Sequence, residues 1–137
     1  MAHPFFASRG PLVFAHRGGS ALAPENTIAA FDNGLALGAD GLELDVHLSR
    51  DGHVVVHHDR TLERTTPLRG LVAERTAREL EAVGVPTLAE VLSRYRDTRI
   101  IIEMKGDRVE LARATVDEVR RASALERVCL ASFGLRA

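Results

Sequence analysis

The chain has 137 residues, 45% of them hydrophobic and 27% charged, the balance of a globular protein with room for one domain and a real core. Lys plus Arg number 18 against 19 for Asp plus Glu, a net charge of −1, which excludes the basic footprint of a general nucleic-acid binder. No apolar run reaches a membrane span, residues 1–6 lack the basic start and apolar stretch of a signal peptide, and the single cysteine, Cys129, excludes an internal disulfide, so the sequence reads as a soluble, cytoplasmic, single-domain protein over 1–137.

Short apolar runs alternate with helical patterns, which predicts an α/β chain with a parallel sheet. The first run, 12–15, ends in His16-Arg17-Gly18-Gly19-Ser20. A helix over 27–37 follows, with Ile28, Phe31 and Leu35 on one face and Gly38 where a left-handed C-terminal residue is expected. Strands over 41–48 and 54–58 come next, joined through Asp51-Gly52, which by itself reads as a hairpin turn. Thr76 with Glu79, and Thr87 with Glu90, match the capping-box pattern and predict two short helices. The run 99–105 has the β-branched density of a buried parallel strand. A helix over 107–124 and a fifth strand over 128–133 complete the series, with Cys129 read as a core residue.

Alternation along a strand sends successive side chains to opposite faces. Glu43, Asp45 and His47 therefore share one face of the second strand, Glu103 and Lys105 one face of the fourth, and Val54, Val56 and His58 one face of the third, while His16 ends the first. In α/β sheets and barrels that edge is where ligands bind. Three carboxylates on otherwise apolar strands are costly to desolvate unless something positive sits among them, and Lys105 offsets only one. A divalent cation is the natural partner, with all-oxygen ligation favouring Mg²⁺ or Ca²⁺ over zinc. The bland alternative leaves Glu43 and Asp45 facing solvent and Glu103 with Lys105 as an ordinary ion pair.

Among the six histidines, His3 and His53 read as solvated. His57 and His58 point to opposite faces, so at most one joins the site, and alternation does not choose between them. Two imidazoles beside a carboxylate cluster fit a general acid and a general base near pH 7. With Arg17 and a cation they suit an anionic substrate, and phosphate ester hydrolysis is the reaction class that uses all of these parts. Gly18-Gly19-Ser20 lacks the spacing of a nucleotide loop, and Ser132 lacks the context of a nucleophile elbow.

Phe14-Ala15-His16-Arg17-Gly18-Gly19, Ala23-Pro24-Glu25-Asn26-Thr27, Glu43-Leu44-Asp45-Val46 and Val55-Val56-His57-His58-Asp59 together resemble the glycerophosphodiester phosphodiesterase family. Arg64-Thr65-Thr66, Val85-Pro86-Thr87-Leu88, Glu103-Met104-Lys105 and Ser132-Phe133 extend the resemblance from about Val13 to Phe133. It implies a TIM-type (β/α) barrel and metal-dependent hydrolysis of glycerophosphodiesters to glycerol 3-phosphate and an alcohol. It further implies His16 and His58 as the acid/base pair, with Glu43, Asp45 and Glu103 on a divalent metal, Mg²⁺ or Ca²⁺. Arg17 and Lys105 would hold the phosphate, and Glu25, Asn26 and Thr27 would support the site.

The resemblance also argues against the hairpin. For Asp45 and His58 to meet at one barrel mouth, residues 46–51 are expected to run back as an extended return and not as a tight antiparallel partner. A full barrel takes eight βα units and about 250 residues. The expectation is therefore a barrel truncated after the fifth strand, whose open sheet edges invite self-association. The competing expectation is a catalytically incomplete half-barrel that binds only a metal or a partner chain.

Overall fold

The computed structural model describes residues 3–134. Four strands run parallel in the order β1 (Phe14–His16), β2 (Gly41–Leu48), β4 (Arg99–Met104), β5 (Val128–Ser132). A fifth, β3 (Val54–Val56), pairs antiparallel with β2. Helices α1 (Ile28–Ala36), α2 (Ala77–Glu81), α3 (Leu88–Arg94) and α4 (Val109–Arg121) fill the connections. Among the described residues no helix is long and apolar enough to cross a membrane.

The helix ends form where their residue chemistry allows. Thr27 caps α1 by accepting from the Ala30 N–H, and Gly38, at φ 99°, closes its other end, with Ala39 N–H bonded to Gly34 O and Gly38 N–H to Leu35 O. Thr76 and Glu79 form the full reciprocal capping box on α2. Thr87 makes its half on α3, accepting from the Glu90 N–H.

Leu42, Leu44 and Val46 of β2 and Ile100 and Ile102 of β4 are fully buried against Phe31, Val91, Leu92, Leu111 and Val119 of the helices. Each such side chain contributes about 1.5–3 kcal/mol over its exposed state. A second cluster lies beyond β3, where Val55 packs with Leu62, Val72, Leu80 and Val85. β3 is thus buried on both faces, which is why its three residues are all valine rather than alternating.

The register of β3 corrects one expectation. Val46 faces Val56, His47 faces Val55 and Leu48 faces Val54, so residues 46–48 belong to a hairpin arm and not to an extended return. Because Val46 already pairs with Met104 on its other side, β3 occupies the same edge of β2 as β1, just beyond the point where β1 stops at His16. Asp51-Gly52 is the turn that its sequence indicates, with Gly52 at φ 79°. Cys129 also departs from its expected place. It pairs with Ile101 on the carboxylate-bearing face of the sheet and is half-buried.

The turn after β1 approaches α1 closely enough to require glycine. A Cβ at Gly18 would lie 2.8 Å from the Ala30 Cβ and 2.9 Å from its carbonyl carbon, at a φ of 83°. Gly19, at φ 93°, has open space around it. Gly19→Ala is therefore expected to lose about 1 kcal/mol from its backbone conformation alone, and Gly18→Ala clearly more. Urea denaturation of the two variants measures the difference, and equal losses would contradict the close approach.

Candidate active site

Strand register assembles the carboxylates. Glu103 pairs directly with Asp45 across β2 and β4, Glu43 precedes Asp45 by two on the same face, and His16 faces Glu43 from β1. One oxygen from each of Glu43, Asp45 and Glu103 lies within 4.8 Å of the others. Asp45 is only 1% exposed.

Cations of the chain surround this cluster. Lys105 Nζ donates to Glu103 Oε1 at 2.6 Å and lies 3.2 Å from Asp45 Oδ1. The Arg17 backbone N–H donates to Glu43 Oε2 at 3.2 Å, its guanidinium donates to Glu25 at 3.3 Å, and its Nε sits 3.7 Å from Asp45 Oδ2. His16 Nε2 is 3.7 Å from Glu43 Oε2. Arg17 and Asn26 both adopt left-handed backbone, at φ 53° and 55°, and the Asn26 N–H closes on the Arg17 carbonyl at 2.8 Å. This strained pair turns the Asn26 amide onto Asp45 Oδ2 at 3.0 Å.

Charge crowding registers in the titration of the groups. Burial, followed by the Asp45 charge, raises the Glu43 carboxyl above its ordinary range against the Arg17 N–H that favours its ionised form. Desolvation alone would lower Lys105, but the hydrogen bond to Glu103 and the Asp45 charge carry it above its usual value.

His58 reaches the site along a different route. Its Nδ1 bonds Asp59 Oδ1 at 2.7 Å. Arg64 grips Asp59 through Nε and Nη2, at 2.7 and 3.0 Å, and Glu25 through Nη1 and Nη2, at 3.2 and 2.6 Å. The Arg64 hydrogen bond is the largest cause that holds both carboxyls below their ordinary range. An unbroken path of polar contacts thus runs from His58 through Asp59, Arg64 and Glu25 to Arg17 and the carboxylates. His58 and Lys105 also line one cavity.

The structure therefore brings His16, Arg17, Glu43, Asp45, Glu103 and Lys105 into mutual contact and joins His58 to them through the ion-pair path. It also separates the adjacent histidines. His57 is buried with its Nε2 bonded to the Thr61 carbonyl, a structural role. Sequence reasoning placed His47 on the carboxylate face without a task. Its Nε2–H donates to the His58 carbonyl at 3.0 Å, and burial pushes its imidazole below the ordinary value. Asp59 and Arg64 carried no role beyond their motifs, because a clamp between positions 25 and 64 leaves no periodic trace.

The donor set fits a divalent cation. Three carboxylate oxygens converge, an ammonium already sits against two of the carboxylates, and the Asn26 Oδ1 beside them is buried without a hydrogen-bond partner.

The carboxylate cluster, flanked by imidazoles and a guanidinium, lies at the C-terminal ends of parallel strands, the edge where α/β-barrel proteins place their ligand sites. The sequence matches the Glycerophosphoryl diester phosphodiesterase family over residues 16–133, and the chain belongs to that family. It is 39% identical to the glycerophosphodiester phosphodiesterase of Caldanaerobacter subterraneus over 89% of this chain and 58% of that protein. The glycerophosphodiester phosphodiesterase from Agrobacterium tumefaciens superimposes with a TM-score of 0.83 at 32% identity, covering 91% of this chain and 59% of that one. An Oleispira antarctica phosphodiesterase in complex with the product sn-glycerol-3-phosphate gives 0.83 at 32% identity, covering 93% and 59%. The chain spans less than two thirds of the length of these relatives. Its sheet and helices are part of a TIM-type barrel.

Glu43→Gln keeps an acceptor for the Arg17 N–H and removes the crowded charge. A carboxyl whose folded pKa is raised favours the native state below its unfolded pKa and loses that contribution as pH rises through the folded one. In chelator, Glu43→Gln is expected to unfold at a higher temperature than the parent at pH 7, with the gain shrinking toward pH 4. Thermal unfolding at the two pH values checks it, and a gain that grows on acidification contradicts the sign.

Proposed function

We propose that this chain forms one glycerophosphodiester phosphodiesterase-like domain that hydrolyses glycerophosphodiesters to glycerol 3-phosphate and an alcohol with a divalent metal. The observation that carries this reading is the convergence of Glu43, Asp45 and Glu103 beside His16, Arg17 and Lys105 in a chain of this family. The product-bound Oleispira antarctica relative supports it, since its bound ligand is sn-glycerol-3-phosphate.

Glu43, Asp45 and Glu103 would hold Mg²⁺ or Ca²⁺, which supplies positive charge to the phosphoryl oxygens. Arg17 and Lys105 bind and orient the phosphate. Asp59 is ionised and accepts from the His58 Nδ1–H, which leaves Nε2 of that ring for proton transfer. One of His16 and His58 takes the proton of the attacking water as its oxygen bonds to phosphorus. The other gives a proton to the alcohol oxygen as its bond to phosphorus breaks. The lone cysteine, half-buried and unpaired, fits a cytoplasmic setting.

Release of glycerol 3-phosphate from glycerophosphocholine and from glycerophosphoglycerol, with and without chelator, tests the reading. Chelator is expected to abolish turnover, and His58→Ala to lower kcat by about 10²–10⁴. Mg²⁺ or Ca²⁺ is expected to raise the unfolding temperature of the parent and not of Asp45→Asn, a stabilisation of about 2.7 kcal/mol at a hundred times Kd. Turnover that survives chelator overturns the proposal.

A second reading rests on the outer edges of β1 and β5, which pair with no other strand among the described residues. On that reading the chain is a metal-binding half-barrel that associates with a second copy. Light scattering on the eluted protein separates the two: an active monomer excludes the half-barrel, and an inactive dimer supports it.

A further inference from the structure

A cavity of about 440 Å³ opens at the ends of β2, β3 and β4, and His58 and Lys105 of the proposed site are among the residues that line it. Leu48, Leu71 and Leu111 give it apolar walls, His47 adds an imidazole, and the exposed Arg60 and Arg108 complete the charged part of its lining. No acidic residue lines it among the described residues. The Arg60 guanidinium is exposed and makes no hydrogen bond or ion pair with any described residue. Arg108 has only Glu110, at 3.6 Å, in a pair whose side chains are 71% and 67% exposed. Such a pair contributes little and is screened by water and salt. The other cations near the site are all committed: Arg17 to Glu25, Arg64 to Glu25 and Asp59, and Lys105 to Glu103 and Asp45.

We infer that this cavity receives the alcohol portion of the diester, and that it selects alcohols carrying a further anionic group over cationic ones. The inference rests on the phosphodiesterase reading and adds its substrate class. A phosphate held by Arg17 and Lys105 places one ester arm toward the cavity that Lys105 and His58 line. The two under-committed guanidiniums of its lining, Arg60 and Arg108, meet a second phosphate with two charge-assisted contacts, and repel a quaternary ammonium. Among the described residues the cavity has no phenylalanine, tyrosine or tryptophan face of the kind that recognises choline-type cations.

The test compares bis(glycerophospho)glycerol, which carries a second phosphate in its alcohol arm, with glycerophosphocholine at low ionic strength. kcat/KM is expected to favour the former by about tenfold, the preference shrinking as salt rises. In Arg60→Glu/Arg108→Glu the preference is expected to reverse. A parallel arm measures equilibrium binding of bis(glycerophospho)glycerol by calorimetry in chelator, where no turnover is needed. Binding there is expected to weaken about tenfold in the double variant. Turnover of both diesters with a ratio that the double variant leaves unchanged overturns the inference while leaving the phosphodiesterase reading intact. Turnover of neither diester overturns that reading, and the calorimetric arm then decides whether the cavity binds the dianion.

Discussion

Three carboxylates held on adjacent strands repel one another, and the surrounding structure is arranged against that repulsion. The pairing of Asp45 with Glu103 across β2 and β4 sets their separation, so it cannot relax without breaking the sheet. Lys105 and Arg17 supply compensating charge from two different loops. Asn26 supplies a dipole from a backbone conformation that costs free energy of its own. The apolar residues alternating with these groups pack Leu42, Leu44, Ile100 and Ile102 beneath them, so the core that stabilises the fold also fixes the crowding. A site of this kind is organised before any ligand arrives, which is what electrostatic catalysis requires.

The carboxylates were legible because strand periodicity is simple. Glu43, Asp45 and Glu103 fall on one face by counting in twos, and a parallel sheet aligns their ends. His16, Arg17 and Lys105 follow as the residues that terminate or leave those strands. Asp51-Gly52 was legible too, as a turn with a left-handed glycine. The family resemblance pointed away from the hairpin, and the register of Val46 with Val56 restores it. Topology hid the rest. Glu25 and Arg64 are separated by 39 residues, and their bidentate contact exists only once the 58–66 loop folds back over the turn before α1. Strand alternation does not choose between His57 and His58; the resemblance chooses His58, and in the structure His57 is buried on the Thr61 carbonyl while His58 bonds Asp59.

The 57–66 segment is held at several points. His47 and His57 bond its carbonyls, Val55 and Leu62 anchor it in the second cluster, and Arg64 ties its outer side to Glu25. The proton-transfer role proposed for His58 requires its geometry to be kept to a fraction of an ångström, and a loop achieves that only when its backbone is fixed independently of the side chain that acts.

The hairpin gives the site two separately variable parts. Residues of parallel staves share one register, so any slip in β2 against β4 would carry Glu43 and Asp45 together away from Glu103. His58 rides instead on an arm that leaves the barrel wall after Leu48 and returns through Val54–Val56. Beyond Arg64, whose clamp on Glu25 reaches back to Arg17, the stretch up to α3 makes no hydrogen bond or ion pair with the carboxylates among the described residues. The spacing of the carboxylates is set by the sheet, whereas the position of His58 is set by this arm and its own anchors.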